Sequence, residues 1–291
     1  MGLAAALAAG AAGCRVGAQL GRLGRRATAV GPYLRESAIV AGLYGLWQLA
    51  ASASVAGGRG AFARSRWIVR VERGWLPSER DLQQLLLHST LLARTANWYY
   101  AALHFTALGA LLLWLFARHR HRYPRVRNVL VLLTASSLLI QLVPVAPPRL
   151  LPGLGYVDVA ERYGDSVYSI SAVTVDQLSA MPSVHVGWAA LVGWAVITTS
   201  SSRYRWWVLA HPALTVFVVV ATGNHFWLDG IVAGGLLAIS IGAVRALEQL
   251  FAPRVDHGDA GGRRGGHLGK GGGDLGERDP VGDELVGPQR A

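Results

Sequence analysis

The residues of this chain best suited to chemistry lie in two short stretches, Met181-Pro182-Ser183-Val184-His185 and Gly223-Asn224-His225-Phe226-Trp227-Leu228-Asp229. His225 and Asp229 are four residues apart, which puts them on one face of a helical turn. A carboxylate in that position accepts a proton from one imidazole nitrogen and leaves the other free to act. Ser183 has the residue type of an N-cap, and the backbone N–H groups of the turn after it form an anion site reinforced by the helix dipole. His185, beside that site, is placed to protonate a leaving oxygen. A third cluster, Pro147-Pro148-Arg149, holds a guanidinium after two prolines that push the chain away from helix. Its planar fork suits a phosphate, to which it donates two hydrogen bonds without losing its charge. His185, His225 and Asp229 are also ordinary zinc ligands, but a metal reading leaves Arg149 without a role. Phosphate chemistry with no metal and no cofactor uses every one of these groups.

The elements that must position these residues are membrane helices. The 291-residue chain is 52% hydrophobic and only 15% charged, with a mean hydropathy of +0.33, too apolar for an ordinary soluble domain. Segments 38–56, 98–117, 128–145, 184–200, 206–222 and 228–244 are apolar and long enough to cross a bilayer. The expected fold is all-α: a polytopic six-transmembrane-helix bundle. Glu79 to Asn97, with Leu82, Leu85, Leu86 and Leu92 at helical spacing, reads as an amphipathic helix lying on the interface. It leads into the aromatic cluster Asn97-Trp98-Tyr99-Tyr100, a belt anchor, and then to His104, a costly polar group one turn inside a span. Residues 1–37 read as an N-terminal arm, 38–251 as the transmembrane domain and 252–291 as a disordered tail rich in Gly and charge. The arginines of the arm follow its apolar run, which argues against a cleaved signal peptide.

Charge narrows the partners and sets an orientation. The chain has 28 basic residues against 17 acidic ones, and every basic residue except Lys270 is arginine, placed beside apolar runs. That pattern suits a membrane and not a nucleic acid. Cys14 is the single cysteine, so an intrachain disulfide and a cysteine-based zinc site are excluded. The short loop Arg118-His119-Arg120-His121-Arg122, followed by Arg125 and Arg127, marks the cytoplasmic side. Alternating the spans from there puts both termini in the cytoplasm. The 146–183 loop and the His225 turn fall on the extracytoplasmic face of the cell membrane.

In order and placement, these motifs resemble the type 2 phosphatidic acid phosphatase superfamily over about residues 94–245. The resemblance implies that His225 attacks phosphorus and becomes phosphohistidine while Asp229 orients and stabilises it. It further implies that His185 protonates the leaving group and that Arg149 with Ser183 binds the phosphate oxygens. Three positions depart from the common pattern: Leu142 stands where a lysine precedes the arginine motif, Val184 replaces a glycine, and Val219 replaces an arginine. These departures are similar to the branch that includes inositol phosphorylceramide synthase, the aureobasidin target. Asn97, Tyr100 and His104 match that branch's Asn-x-x-Tyr-x3-His pattern and, with Asn224, are expected to line the pocket. The expectation is an integral membrane enzyme acting on a lipid phosphate, with water or an alcohol such as inositol as acceptor. The competing class is a non-catalytic membrane protein or transporter that keeps a phosphate-binding pocket.

Overall fold

The computed structural model describes residues 60–163 and 177–251, with Glu36, Ala38, Ile39, Gly42 and Gly45 ahead of them. The N-terminal arm, most of the first expected span (38–56) and the 252–291 tail lie outside the described residues. Regular structure among the described residues is helical throughout, with two isolated bridges, Arg73 to Leu76 and Val145 to Ser179.

Helix α1 (Ala61–Glu72) precedes the expected interfacial segment. Its inner face is fastened by polar groups: Ser65 Oγ donates to Ala146 O at 2.7 Å and Arg64 Nε to Pro144 O at 2.6 Å. The segment expected as one amphipathic helix, 79–97, is instead two helices, α2 (Glu79–Leu87) and α3 (Thr90–Trp98). The break has a local cause. Ser89 is extended (φ −135°, ψ 120°) and its hydroxyl accepts the Leu92 N–H, a side-chain bond that replaces continuation of the helix. From Thr90 the chain does not leave the helix again until Arg118. It passes through a π-helical turn, Tyr99–Leu103, into α4 (His104–Arg118).

Helix α5 (Tyr123–Gln141) opens with a proline in its first turn and stops short of Pro144. The expected span 128–145 is therefore displaced toward its N-terminus, because a residue before proline is driven out of the helical region. A short helix, α6 (Val159–Tyr163), sits in the following loop. Then come α7 (Val184–Thr199), a 3₁₀ turn (Arg203–Leu209) running into α8 (Ala210–Ala221), and α9 (Trp227–Leu250). Among the described residues three helical segments are long and apolar enough to cross a membrane: Thr90–Arg118, Arg203–Ala221 and Trp227–Leu250. Val184–Thr199 is apolar but shorter.

Helix α7 is central. Leu191, Val192 and Ala195 on it bury against Leu108, Leu111 and Leu115 of α4, Val129 and Leu133 of α5, and Leu237 and Val244 of α9. Helices α5 and α9 pack against this face of α7, where a Cβ on Gly187 would lie in ordinary contact, 3.6 Å from Leu133 and 3.7 Å from Ala233. A second cluster joins Leu86 of α2 and Ala93 and Ala96 of α3 to Val159, Val218 and Ala221. Ion pairs tie the helices at the arginine-rich end, Arg125 with Glu248 and Arg127 with Glu36.

Candidate active site

The three motif stretches are joined by backbone hydrogen bonds. Past the end of α5, Val145 N donates to Leu178 O at 2.6 Å and Val145 O accepts from Ala180 N at 3.1 Å, which holds the Pro-Pro-Arg stretch beside the chain entering α7. Arg149, in a 3₁₀ turn (Pro148–Leu150), donates its N–H to Gly223 O at 2.9 Å. Ser183 N donates to Asp229 O at 3.1 Å. The Gly223–Asp229 motif is thus bonded through the backbone to each of the other two, and the segments leading into those two are bonded to each other. Gly223 shows how tight the junction is: its φ is +71°, and a Cβ there would lie 3.0 Å from Gln83 Nε2 and 3.3 Å from Arg149 Cβ. A left-handed turn with no room for a side chain requires glycine.

His225 sits at the start of α9 and is buried, at 5% exposure. Its Nδ1 faces two oxygens, Ala180 O at 2.7 Å and Asp229 Oδ2 at 3.3 Å. Two acceptors on one nitrogen require that nitrogen to carry the proton, so the lone pair of the neutral ring is on Nε2. Asp229 is fully buried, and its Oδ2 also accepts the Phe226 N–H at 2.8 Å, so that the carboxylate caps α9 as well as facing the histidine. The nearer partner of His225 is the Ala180 carbonyl. Nothing in the sequence pointed to it, because a backbone acceptor 45 residues away carries no residue-type signal.

Ser183 caps α7 as its residue type predicts, with Oγ accepting from Val186 N at 3.4 Å. His185, two residues on, has its ring centroid 5.7 Å from that of His225. Tyr100 stacks on it at 4.2 Å and His104 meets it edge-on at 4.2 Å. The π-helical turn contains Tyr100 and directly precedes His104, and an extra residue per turn is a common way to re-aim side chains at a functional site. Asn97 goes elsewhere: its amide donates to Val159 O at 3.1 Å and ties α3 to the 150s loop. Asn224 donates to Thr222 Oγ1 at 2.8 Å within the turn that carries His225.

Arg149 is buried and pairs through Nε with Asp158 Oδ2 at 3.1 Å. Asp158 also accepts the Ala160 and Glu161 N–H groups, which fixes the carboxylate at the head of α6. Gln83 clamps the adjoining backbone from both sides, donating to Val157 O at 2.9 Å and accepting from Val157 N at 2.8 Å. Asp158 and Gln83 were invisible in the sequence as site residues: one looked like an ordinary loop acid, the other like part of a polar helix face. Among the described residues no group of three or more His, Cys, Asp or Glu is arranged to hold a metal ion.

The sequence profile of the PAP2 superfamily matches residues 66–243, more than half of the chain. No curated protein and no solved structure gives a match.

Proposed function

The chain belongs to the PAP2 superfamily, and we propose that it is an integral membrane lipid phosphatase or phosphotransferase that works through a phosphohistidine on His225. Membership supports a phosphatase-type enzyme acting on lipid phosphates. The observation that carries it is the double contact of His225 Nδ1 with Ala180 O and Asp229, which leaves Nε2 as the nucleophile. In the first step Nε2 attacks phosphorus, the bond to the leaving oxygen breaks, and that oxygen takes a proton from the imidazolium of His185. Asp229 balances the positive charge that appears on the His225 ring. In the second step an acceptor hydroxyl gives its proton to His185 and attacks phosphorus, the P–N bond breaks, and His225 is restored.

Arg149 and the first N–H groups of α7, after Ser183, stabilise the equatorial oxygens, and Asp158 orients the guanidinium from its Nε edge. Tyr100 and His104 hold His185 and, with Asn224, line the acceptor side; inositol or water fills that place. Six spans, the cell membrane and an extracytoplasmic site complete the proposal. Helix α7, apolar over 16 residues or about 24 Å, carries His185 in its first turn.

The test is to incubate the purified protein with a lipid carrying labelled phosphate, with and without inositol, and to follow phosphate release, head-group exchange and protein-bound label after an alkaline quench. Base-stable, acid-labile label on the wild type and none on His225→Ala is expected. Turnover with no such label at any time point would defeat the covalent route. No turnover with any lipid phosphate would favour the non-catalytic phosphate-binding reading.

A further inference from the structure

Behind the catalytic turn lies a buried carboxyl pair that the proposed reaction does not use. Glu72 ends α1 and Glu79 begins α2; they are 3% and 7% exposed. Glu72 Oε1 accepts the N–H of Leu228 at 2.5 Å. That amide belongs to the first turn of α9, one residue before Asp229, and is among the donors a helix cannot satisfy by itself. The same α1–α2 hairpin takes a second bond from this turn, Trp227 Nε1 to Pro77 O at 2.8 Å. Tyr156 donates its hydroxyl to Glu79 Oε2 at 3.3 Å. The remaining oxygens, Glu72 Oε2 and Glu79 Oε1, are buried and have no donor among the described residues. Two buried carboxylates in hydrogen-bonding contact need a proton between them.

We propose that Glu72 is a positioning residue for the His225–Asp229 turn, anchoring the Leu228 amide while it shares a proton with Glu79, and that loss of the proton sets two buried carboxylates against each other and forces the anchor to shift. The titratable groups facing it are Glu79 from α2, Asp229 of α9 with His225 beyond it, and Tyr156 from the 150s loop, near Arg80. Burial is the largest influence on Glu72, followed by the hydrogen bond with Glu79. The Leu228 N–H opposes both, while the charges of Glu79 and Asp229 reinforce them, and the carboxyl is pushed up from 4.5 to about 9. Tyr156 is also pushed up, by burial first and then by the charge of Glu79, so its hydroxyl remains a donor. Because the folded value lies above the unfolded one, the stabilising contribution is full below about 4.5 and is lost as pH rises toward about 9.

Glutamine isolates the idea. Its Oε1 keeps the bond from Leu228, its Nε2 donates to Glu79 as the shared proton does, and it cannot ionise. Thermal unfolding of the full-length protein in detergent, followed between about pH 5 and pH 9.5, should show a melting midpoint that falls with pH in the wild type relative to Glu72→Gln. The kinetic half of the test rests on the phosphohistidine reading. With a lipid phosphate substrate, Glu72→Gln should retain most of the wild-type kcat near pH 7 and lack its alkaline loss. Glu72→Ala should lower kcat roughly 10–100-fold with KM little changed, since it disturbs an outer support of the catalytic pair. Parallel melting curves for wild type and Glu72→Gln across the whole range would overturn the proposal, as would equal kinetic losses in Glu72→Gln and Glu72→Ala. A diverging pair of melting curves in a protein without phosphatase activity would uphold the shared proton and defeat the function instead.

Discussion

At the scale of single residues, the two histidines have different environments and should fail differently. His225 presents Nε2 because Nδ1 is engaged by Ala180 and Asp229, whereas His185 is held by the rings of Tyr100 and His104. His225→Ala is expected to abolish turnover of every substrate. His185→Ala should cost roughly 10²–10⁴-fold on a lipid phosphate but little on an aryl phosphate whose phenol leaves without a proton. Steady-state kinetics of both variants on both substrates decides it, and equal losses for His185→Ala on the two would remove the acid role. Asp229→Asn is a milder case. The nearer acceptor, Ala180 O at 2.7 Å, still holds the ring's tautomer, and an asparagine oxygen still caps Phe226, so a loss of roughly 10–100-fold in kcat is expected. A loss as complete as that of His225→Ala would mean that the carbonyl does not set the tautomer.

At the scale of elements, the turn between α8 and α9 is the weak point of the design. Gly223 must take a left-handed φ, its carbonyl holds Arg149, and it lies against Gln83. Gly223→Ala is expected to destabilise the fold by about 1–2 kcal/mol from the backbone alone. The added methyl must also displace Gln83 or Arg149, so kcat should drop further than a distant alanine substitution of equal stability cost. A thermal melt beside a kinetic assay checks this; wild-type kcat in a destabilised protein would show that the Arg149 turn is not coupled to the His225 turn. The hairpin of α1 and α2 belongs to the same scale, since it supports that helix start through Glu72 and Pro77.

At the scale of the whole molecule, the reaction needs the Arg149, His185 and His225 segments in one compartment, and the backbone bonds among them place all three together. Exposed residues on the segments flanking the site, Glu161 and Gln177, lie on the 146–183 loop, while exposed His121 lies in the arginine-rich turn at the opposite end of α4 and α5. With Cys14→Ser as background, Glu161→Cys and Gln177→Cys should react with an impermeant thiol reagent added outside intact cells. His121→Cys should react only after the cytoplasmic face is opened. The reverse pattern would invert the orientation, and one pattern shared by all three would contradict a membrane crossed between them.

The sequence alone determined the helical class, the presence of apolar helices long enough to cross a membrane and the three motifs, because those properties reside in composition, periodicity and residue spacing. Pro147-Pro148-Arg149, Ser183 with His185, and His225 with Asp229 were legible since side-chain chemistry and the i, i+4 rule are local. The ends of helices were less so. A single amphipathic stretch became α2 and α3 because Ser89 captured a backbone amide, and α5 ended early because of Pro144, both outcomes of a contest between local bonds and helix continuation. What only the tertiary structure decided is which distant groups meet: the Ala180 carbonyl on His225, Asp158 on Arg149, Glu72 on Leu228, and Tyr100 and His104 around His185. Backbone carbonyls look alike in any sequence, and a buried acid looks like an exposed one, so their roles exist only once the chain has brought them together.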